Sequence, residues 1–195
     1  MLPAELRDFL ANLEAFGQAN DQQQAERSKK MLNLEHETAA LVSILIRASK
    51  ARRILEIGTS NGYSTIWLAD AAGPTGRVVS IDRDAEKIAF ARENLNQAGL
   101  LNRVDLRVGE ATGIITGLDG PFDVIFFDGD RTTAPGQLKI LLPKLAPSAL
   151  VLADNVLSHP EEIAGYINMI QSLAGFEHTV VPVGKGLSIA CLRGE

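Results

Sequence analysis

Three oxygen-bearing side chains follow two apolar runs of the sequence, at the points where those runs end. Asp128 comes directly after the run Phe122–Phe127, and Asp154 and Asn155 come directly after Ala149–Ala153. If both runs are parallel strands, their carboxyl ends meet at one edge of the sheet, where open α/β sheets bind ligands. Carboxylate and amide oxygens suit a hard divalent cation, Mg²⁺ first, with Mn²⁺ or Ca²⁺ as alternatives. The competing interpretation is a set of helix caps and Asx turns.

A glycine-containing loop follows an earlier apolar run. Ile54–Ile57 leads into Gly58-Thr59-Ser60-Asn61-Gly62, and a helical stretch follows. Glycines at a strand-to-helix turn let the backbone approach a ligand closely, and the start of the helix offers free N–H groups. The loop departs from the G-x-G-x-x-G pattern of dinucleotide sites. A tight turn without a ligand is the alternative interpretation.

An acid ends the next apolar run. Asp82 follows Val78–Ile81 and lies 24 residues after Gly58. A carboxylate there can accept hydrogen bonds from both hydroxyls of a ribose. A helix N-cap is the alternative, although Asp84 is placed at least as well for that role. Loop and acid together predict an adenosine-type site.

The elements that must position these residues alternate between short apolar runs and helical stretches. This pattern is typical of a parallel sheet covered on both faces. The last two runs, about His178–Val183 and Leu187–Leu192, are joined by Gly184-Lys185-Gly186, which predicts a hairpin. We therefore expect a doubly wound α/β fold with a mostly parallel, seven-stranded Rossmann-like sheet and an antiparallel last strand.

Two helical patterns precede the sheet. The apolar residues between positions 2 and 16 predict a helix closed by Gly17, and a second pattern runs from Glu35 to Ser49. Residues 18–30 are polar and are compatible with a linker or a solvated helix. We expect a helical extension over residues 1–34 and one catalytic domain over residues 35–195.

Composition excludes several classes of protein. The 195 residues suit one domain, and the net charge of −5 disfavours nucleic acid as a partner. Cys191 is the only cysteine, so an intrachain disulfide is excluded. The sequence lacks an apolar run of about 18 residues and a signal-peptide pattern. We expect a cytoplasmic protein that does not bind membranes.

These motifs resemble the cation-dependent class I O-methyltransferases, which include the catechol and caffeoyl-CoA types. The resemblance covers roughly residues 35 to 192. It is carried by the segment from Glu56 to Ser64, by Asp82, by Phe127-Asp128-Gly129-Asp130, by Asp154-Asn155-Val156-Leu157 and by Val183-Gly184-Lys185-Gly186-Leu187.

The resemblance implies S-adenosylmethionine as methyl donor, a divalent cation and a small hydroxylated acceptor such as a catechol. It also implies a homodimer. The implied metal ligands are Asp128, Asp154 and Asn155. The implied donor-binding residues are Glu56, Gly58, Thr59, Ser64, Asp82, Ala111 and Asp130.

One position departs from the catechol-type pattern. Members of that type carry a lysine base three residues after the first metal aspartate, where this chain has Arg131. Arginine stays protonated and cannot act as a base. Our hypothesis is that the metal acidifies the acceptor while Arg131 gives electrostatic help. His159 is a candidate base because of its near-neutral pKa, and a surface histidine is its alternative interpretation.

Two other functions compete with methyl transfer. A donor-binding protein with weakened catalysis would fit the loss of the lysine. A nicotinamide-dependent oxidoreductase would share a Rossmann-type sheet, but the glycine loop and the terminal hairpin disfavour it.

Overall fold

A computed structural model describes residues 2–194 and shows seven strands flanked by seven α-helices. The strands are β1 Arg53–Ile57, β2 Arg77–Asp82, β3 Val104–Val108, β4 Phe122–Phe127, β5 Leu145–Ala153, β6 Phe176–Val181 and β7 Leu187–Leu192. The helices are α1 Ala4–Gln23, α2 His36–Ser49, α3 Tyr63–Ala72, α4 Ala85–Gln97, α5 Ala111–Thr116, α6 Ala134–Leu141 and α7 Pro160–Ser172.

The strands form one mixed sheet in the order β3-β2-β1-β4-β5-β7-β6. Strands β1 to β5 pair in parallel, and β7 lies antiparallel between β5 and β6. The predicted doubly wound sheet with a reversed last strand is therefore confirmed. The strand order reverses between β1 and β4, the place where such sheets bind ligands.

The apolar runs form the central strands because both faces of those strands are covered. Ile54, Val124 and Phe126 pack in a core with α1, α2 and α3. Residues on the opposite face, such as Leu55 and Ile125, pack in a second core with α6 and α7. Burial of both faces explains why these strands read as continuous apolar runs instead of alternating ones.

The N-terminal helix is longer than predicted, because Gly17 does not end it. The helix continues to Gln23. Gly17 is buried, and a side chain there would come within 2.5 Å of the Asn33 amide nitrogen. The glycine therefore provides room for a close contact with Asn33. From the sequence alone, such a glycine looks the same as one that ends a helix.

The polar segment that follows α1 is held by specific hydrogen bonds. The Asp21 carboxylate accepts from the backbone N–H groups of Met31 and Leu32, at 2.6 and 2.8 Å. The Ser60 hydroxyl donates to the Met31 carbonyl. The segment is thus tied both to α1 and to the loop after β1.

Among residues 2–194, none of the helices combines the length and the hydrophobicity that a membrane span requires.

Candidate active site

The three predicted metal ligands lie together at the carboxyl edge of the sheet. Asp128 follows β4, and Asp154 and Asn155 follow the neighbouring β5. The Asn155 side-chain amide donates to Asp154 Oδ2 at 2.7 Å and to Asp128 Oδ1 at 3.3 Å. Asn155 has a φ of +65°, a conformation that Asn adopts more readily than most residues. The turn therefore aims its short side chain back between the two carboxylates.

Burial disfavours the ionised form of both acids. Burial first and the negative charge of Glu35 second raise the pKa of Asp154 to about 7. Burial, with the negative charge of Asp154 second, holds the pKa of Asp128 well above its usual range. Two carboxyl groups side by side without an adjacent cation are electrostatically unfavourable.

The donor set fits a divalent cation. Asp154 is 3% exposed, and its Oδ1 is buried without a hydrogen-bond partner. A buried acceptor without a partner is costly, and a cation would satisfy it. Rotation of the Asn155 amide by 180° would exchange its nitrogen for a third oxygen ligand. Among residues 2–194, clusters of three or more His, Cys, Asp or Glu suited to a metal are absent, so any site here depends on the amide.

The glycine loop after β1 is shaped by protein contacts. Gly58 has a φ of +108°, and an added Cβ would overlap the main chain of Asp128. Gly62 has a φ of +84° and lies against Ala91, whose Cβ would be 3.1 Å from an added Cβ. Both glycines therefore have a structural reason to be there. The contacts of Gly58 place the loop directly beside Asp128, a predicted metal ligand.

Glu56, one of the predicted donor-binding residues, is held by hydrogen bonds inside the protein. It is fully buried, and its carboxylate accepts hydrogen bonds from the hydroxyls of Ser64, Thr65 and Ser80 at 2.5–2.6 Å. The Ser80 hydroxyl in turn pairs with that of Thr59 at 2.6 Å. Burial raises the pKa of Glu56 to about 7, although the three hydroxyl bonds oppose the rise.

The buried network around Glu56 joins β1, β2 and α3 underneath the loop. The side chains of Thr59 and Ser64 are also buried and engaged in it. These three side chains therefore help to fix the shape of the loop, and their role in donor binding stays a prediction. Ser80 and Thr65 were missed from the sequence because isolated hydroxyl residues in a strand and a helix carry no motif.

Asp82 lies at the end of β2 and is aligned by backbone groups. One of its oxygens accepts from Ser60 N–H at 2.8 Å and the other from Asp84 N–H at 3.0 Å. Asp84 caps α4 by accepting from the N–H groups of Glu86 and Lys87, so the alternative role as helix cap belongs to Asp84. Ala111 begins α5 at the same edge, because Gly109 N–H bonds the Asp82 carbonyl at 2.9 Å.

Asp130 forms the turn between β4 and α6. Its carboxylate accepts from the backbone N–H and the hydroxyl of Thr132, at 3.0 and 2.7 Å, and these bonds lower its pKa. The residue is exposed beside the loop. It is therefore an ionised, fixed acceptor at the sheet edge.

The two predicted catalytic residues, Arg131 and His159, contact Glu162 and Ser158 respectively. The Arg131 side chain is 10% exposed, and its guanidinium donates through Nε and Nη2 to Glu162 of α7 at 2.9 and 2.7 Å. His159 precedes α7, and its Nδ1 lies 2.9 Å from the Ser158 hydroxyl. Neither contact brings the side chain onto Asp128 or Asp154.

A second ion pair, which sequence reasoning missed, lies close to the acid pair. Lys185 Nζ is 2.5 Å from Glu35 Oε1. The Lys185 ammonium lowers the pKa of both Asp128 and Asp154, whereas Glu35 raises both. Glycines on both sides of Lys185 were the available sequence signal, since they indicate a tightly packed hairpin.

Comparison with known sequences supports the resemblance. The family model described as O-methyltransferase matches residues 8–187. The catechol O-methyltransferase of Mycobacterium tuberculosis is 41% identical over 115 residues, which are 58% of this chain and 52% of the relative. That of Niastella koreensis is 34% identical over 137 residues, which are 68% of this chain and 62% of the relative. The chain thus spans between half and two thirds of the length of these relatives.

A solved structure extends the similarity over nearly the whole chain. The O-methyltransferase from Bacillus cereus, crystallised with SAH (S-adenosylhomocysteine), has a TM-score of 0.81 and 26% sequence identity. The alignment covers 95% of this chain and 91% of that chain. With the family model matching most of the sequence and the predicted sheet confirmed, this chain belongs to the O-methyltransferase family.

Proposed function

We propose that this protein transfers a methyl group from S-adenosylmethionine to a hydroxyl of a small catechol-like acceptor, assisted by a divalent cation. The observation that carries the proposal is the convergence of Asp128, Asp154 and Asn155 beside the Gly58–Gly62 loop. The unpartnered Oδ1 of buried Asp154 supports a cation at that place.

The donor would lie along the carboxyl ends of β1, β2 and β4. Its ribose hydroxyls would be held by Asp82, whose two oxygens are already aligned by backbone N–H groups. The loop backbone would hold the methionine portion, with the buried Glu56 network fixing its shape. Ala111 would flank the adenine, and Asp130 would contact the donor from the turn after β4. A site held rigid in this way supplies rate through positioning.

The acceptor would lie on the side of β5 and of the terminal hairpin. Leu157, two residues after Asn155, is 54% exposed and offers an apolar surface to an aromatic ring. A divalent cation chelated by two adjacent acceptor oxygens would acidify the hydroxyl and orient it. This chain's own residues would hold that oxygen in line with the sulfonium methyl.

Two measurements test the proposal. Calorimetric titration with S-adenosylmethionine, with and without Mg²⁺, tests donor binding. Methylation of a catechol panel in Mg²⁺, against a chelator control, tests turnover. Absence of donor binding in both titrations would contradict the proposal, and turnover unaffected by chelation would remove the cation from it.

The Arg131–Glu162 ion pair favours a second candidate, a donor-binding protein without catalysis. The guanidinium at the position of the lysine base is committed to Glu162. Such a protein would bind S-adenosylmethionine and Mg²⁺ but would leave every catechol of the panel unmethylated.

A further inference from the structure

Lys185 lies at the tip of the β6–β7 hairpin and points its amine at an acid from another part of the chain. Its Nζ is 2.5 Å from Oε1 of Glu35, the residue that immediately precedes α2. Glu35 Oε2 is buried and lacks a hydrogen-bond partner. The Lys185 side chain is 48% exposed, so the protein does not enclose it even though its amine is paired with Glu35.

The hairpin is packed tightly on both sides of this lysine. A Cβ on Gly184 would lie 2.5 Å from Thr38 Oγ1, and one on Gly186 would lie 2.5 Å from Leu157 Cγ. The two glycines have φ values of +54° and +95°. Since neither position accepts a side chain without rearrangement, the backbone around Lys185 is fixed between the start of α2 and the segment after Asn155.

Main-chain hydrogen bonds attach the same hairpin to the predicted metal ligands. Val156 N–H bonds the Gly186 carbonyl at 3.0 Å, and Leu157 N–H bonds the Lys185 carbonyl at 2.9 Å. The lysine is therefore hydrogen-bonded through its main chain to Leu157, which lies two residues after Asn155. The opposite effects of Lys185 and Glu35 on the pKa of Asp128 and Asp154 agree with this proximity.

Arg131 and Lys185 are two cations whose charges lower the pKa of Asp154. Arg131 is nearly buried, and its guanidinium donates hydrogen bonds to Glu162. Lys185 is half exposed and retains two further N–H donors beside its bond to Glu35. Only the lysine is thus free to contact a bound acceptor.

We propose that Lys185, aligned by Glu35, donates a hydrogen bond to the ionised oxygen of the methyl acceptor. This inference rests on the proposed function. Hydrogen bonds to a charged oxygen are stronger than those between neutral groups, so the contact should favour the ionised acceptor by about tenfold or more. The chain would thereby compensate for the missing lysine with a cation from the terminal hairpin.

The test is an absorbance titration of 4-nitrocatechol, whose ionisation is visible, bound to the protein with Mg²⁺ and S-adenosylhomocysteine. The variants are Lys185→Met and Lys185→Arg, with Lys139→Met on the exposed face of α6 as matched control. We expect Lys185→Met to lower the ionisation constant of the bound catechol about tenfold. Arginine should retain most of the effect, because it keeps the charge and the donors, and Lys139→Met should match the wild type.

Steady-state kinetics provide the second readout. Lys185→Met should lower kcat/KM for the acceptor about tenfold, while the dissociation constant of S-adenosylhomocysteine stays unchanged. Unaltered ionisation of bound 4-nitrocatechol in Lys185→Met would overturn the role of Lys185 and leave the proposed function intact. If the wild type with Mg²⁺ does not ionise or methylate the catechol, the proposed function fails and this inference fails with it.

Discussion

Gly58 packs directly on the main chain of Asp128, so closely that a Cβ on the glycine would overlap the aspartate carbonyl. Gly58 belongs to the loop proposed to hold the methyl donor, and Asp128 belongs to the proposed cation site. Asp128 N–H also bonds the Ile57 carbonyl at 2.9 Å. The two sites are therefore parts of one rigid turn arrangement at the ends of β1 and β4.

Gly58→Ala should lower stability and donor affinity together. The alanine would clash with backbone that cannot move aside, and its φ of +108° is unfavourable for a residue with a side chain. We expect a loss of roughly 2–4 kcal/mol in the free energy of unfolding. Urea denaturation and titration with S-adenosylmethionine measure the two effects.

The matched control for that substitution is Gly99→Ala. Gly99 also has a positive φ, +68°, but an added Cβ there meets nothing within 4 Å. Gly99→Ala should lower the free energy of unfolding by only about 1 kcal/mol, through backbone strain, and should leave donor affinity unchanged. Equal losses in the two variants would show that the contact with Asp128 has no effect of its own.

Asp154→Asn should stabilise the metal-free protein and abolish divalent cation binding. The pKa of Asp154 is raised to about 7, so at pH 8 the fold holds an ionised acid that it disfavours. Replacement by a neutral isostere should raise the free energy of unfolding by roughly 1–3 kcal/mol. Mn²⁺ titration followed by electron paramagnetic resonance should show that binding is lost.

The control for Asp154→Asn is Asp119→Asn, an exposed position near the opposite edge of the sheet. Asp119→Asn should have little effect on the free energy of unfolding or on the binding of Mn²⁺. A less stable Asp154→Asn variant would contradict the view that the buried acid pair is electrostatically unfavourable.

Glu56 should make the stability of the protein depend on pH. Its pKa rises from 4.5 to about 7 on folding, so between these values the unfolded chain releases a proton that the folded chain retains. The contribution to stability is complete below about pH 4.5 and is lost as pH rises through 7, by about 3 kcal/mol.

Glu56→Gln should flatten this part of the profile in chelator, as measured by urea denaturation from pH 4.5 to 8. Glu93→Gln, on the exposed face of α4, should leave the profile as it is. Since Asp154 titrates over a similar range, the slope that remains in Glu56→Gln should decrease further when Mg²⁺ is added. An unchanged slope in Glu56→Gln would place the titrating group elsewhere.

Arg131 and Glu162 should behave as a coupled pair. In a double-mutant cycle with Arg131→Ala and Glu162→Ala, we expect the double variant to lose less free energy of unfolding than the sum of the two single losses, because either substitution alone already breaks the ion pair. We expect Arg131→Ala to reduce turnover only a few-fold, since the guanidinium is committed to Glu162. A loss of a hundredfold or more would instead give Arg131 a direct role in the reaction.

The sequence predicted the sheet well because hydrophobic patterning and strand burial have the same cause. The predicted bounds of β4 and β7 agree with the structure residue for residue. The grouping of Asp128 with Asp154 and Asn155 was also predictable, since parallel strands bring their carboxyl ends to one edge. The length of α1 was not, because Gly17 is explained by a contact with distant Asn33.

The contacts of individual side chains could not be predicted from the hydrophobic pattern of the sequence. Burial of Glu56 and its three hydroxyl partners depends on how β1, β2 and α3 pack. The Glu35–Lys185 pair joins residues 150 positions apart, and nothing local in either segment indicates the other. Long-range pairs of this kind become visible only once the sheet has been assembled.

The attachment of the terminal hairpin to the segment after Asn155 has a consequence for the divergence of related proteins. The two hydrogen bonds between these segments use main-chain groups only, so substitution of Leu157 or Lys185 leaves both bonds in place. The surface proposed to face the acceptor can therefore change its chemistry at either position while these main-chain hydrogen bonds remain. If the proposed function holds, substitutions at these two positions should change acceptor preference more than stability.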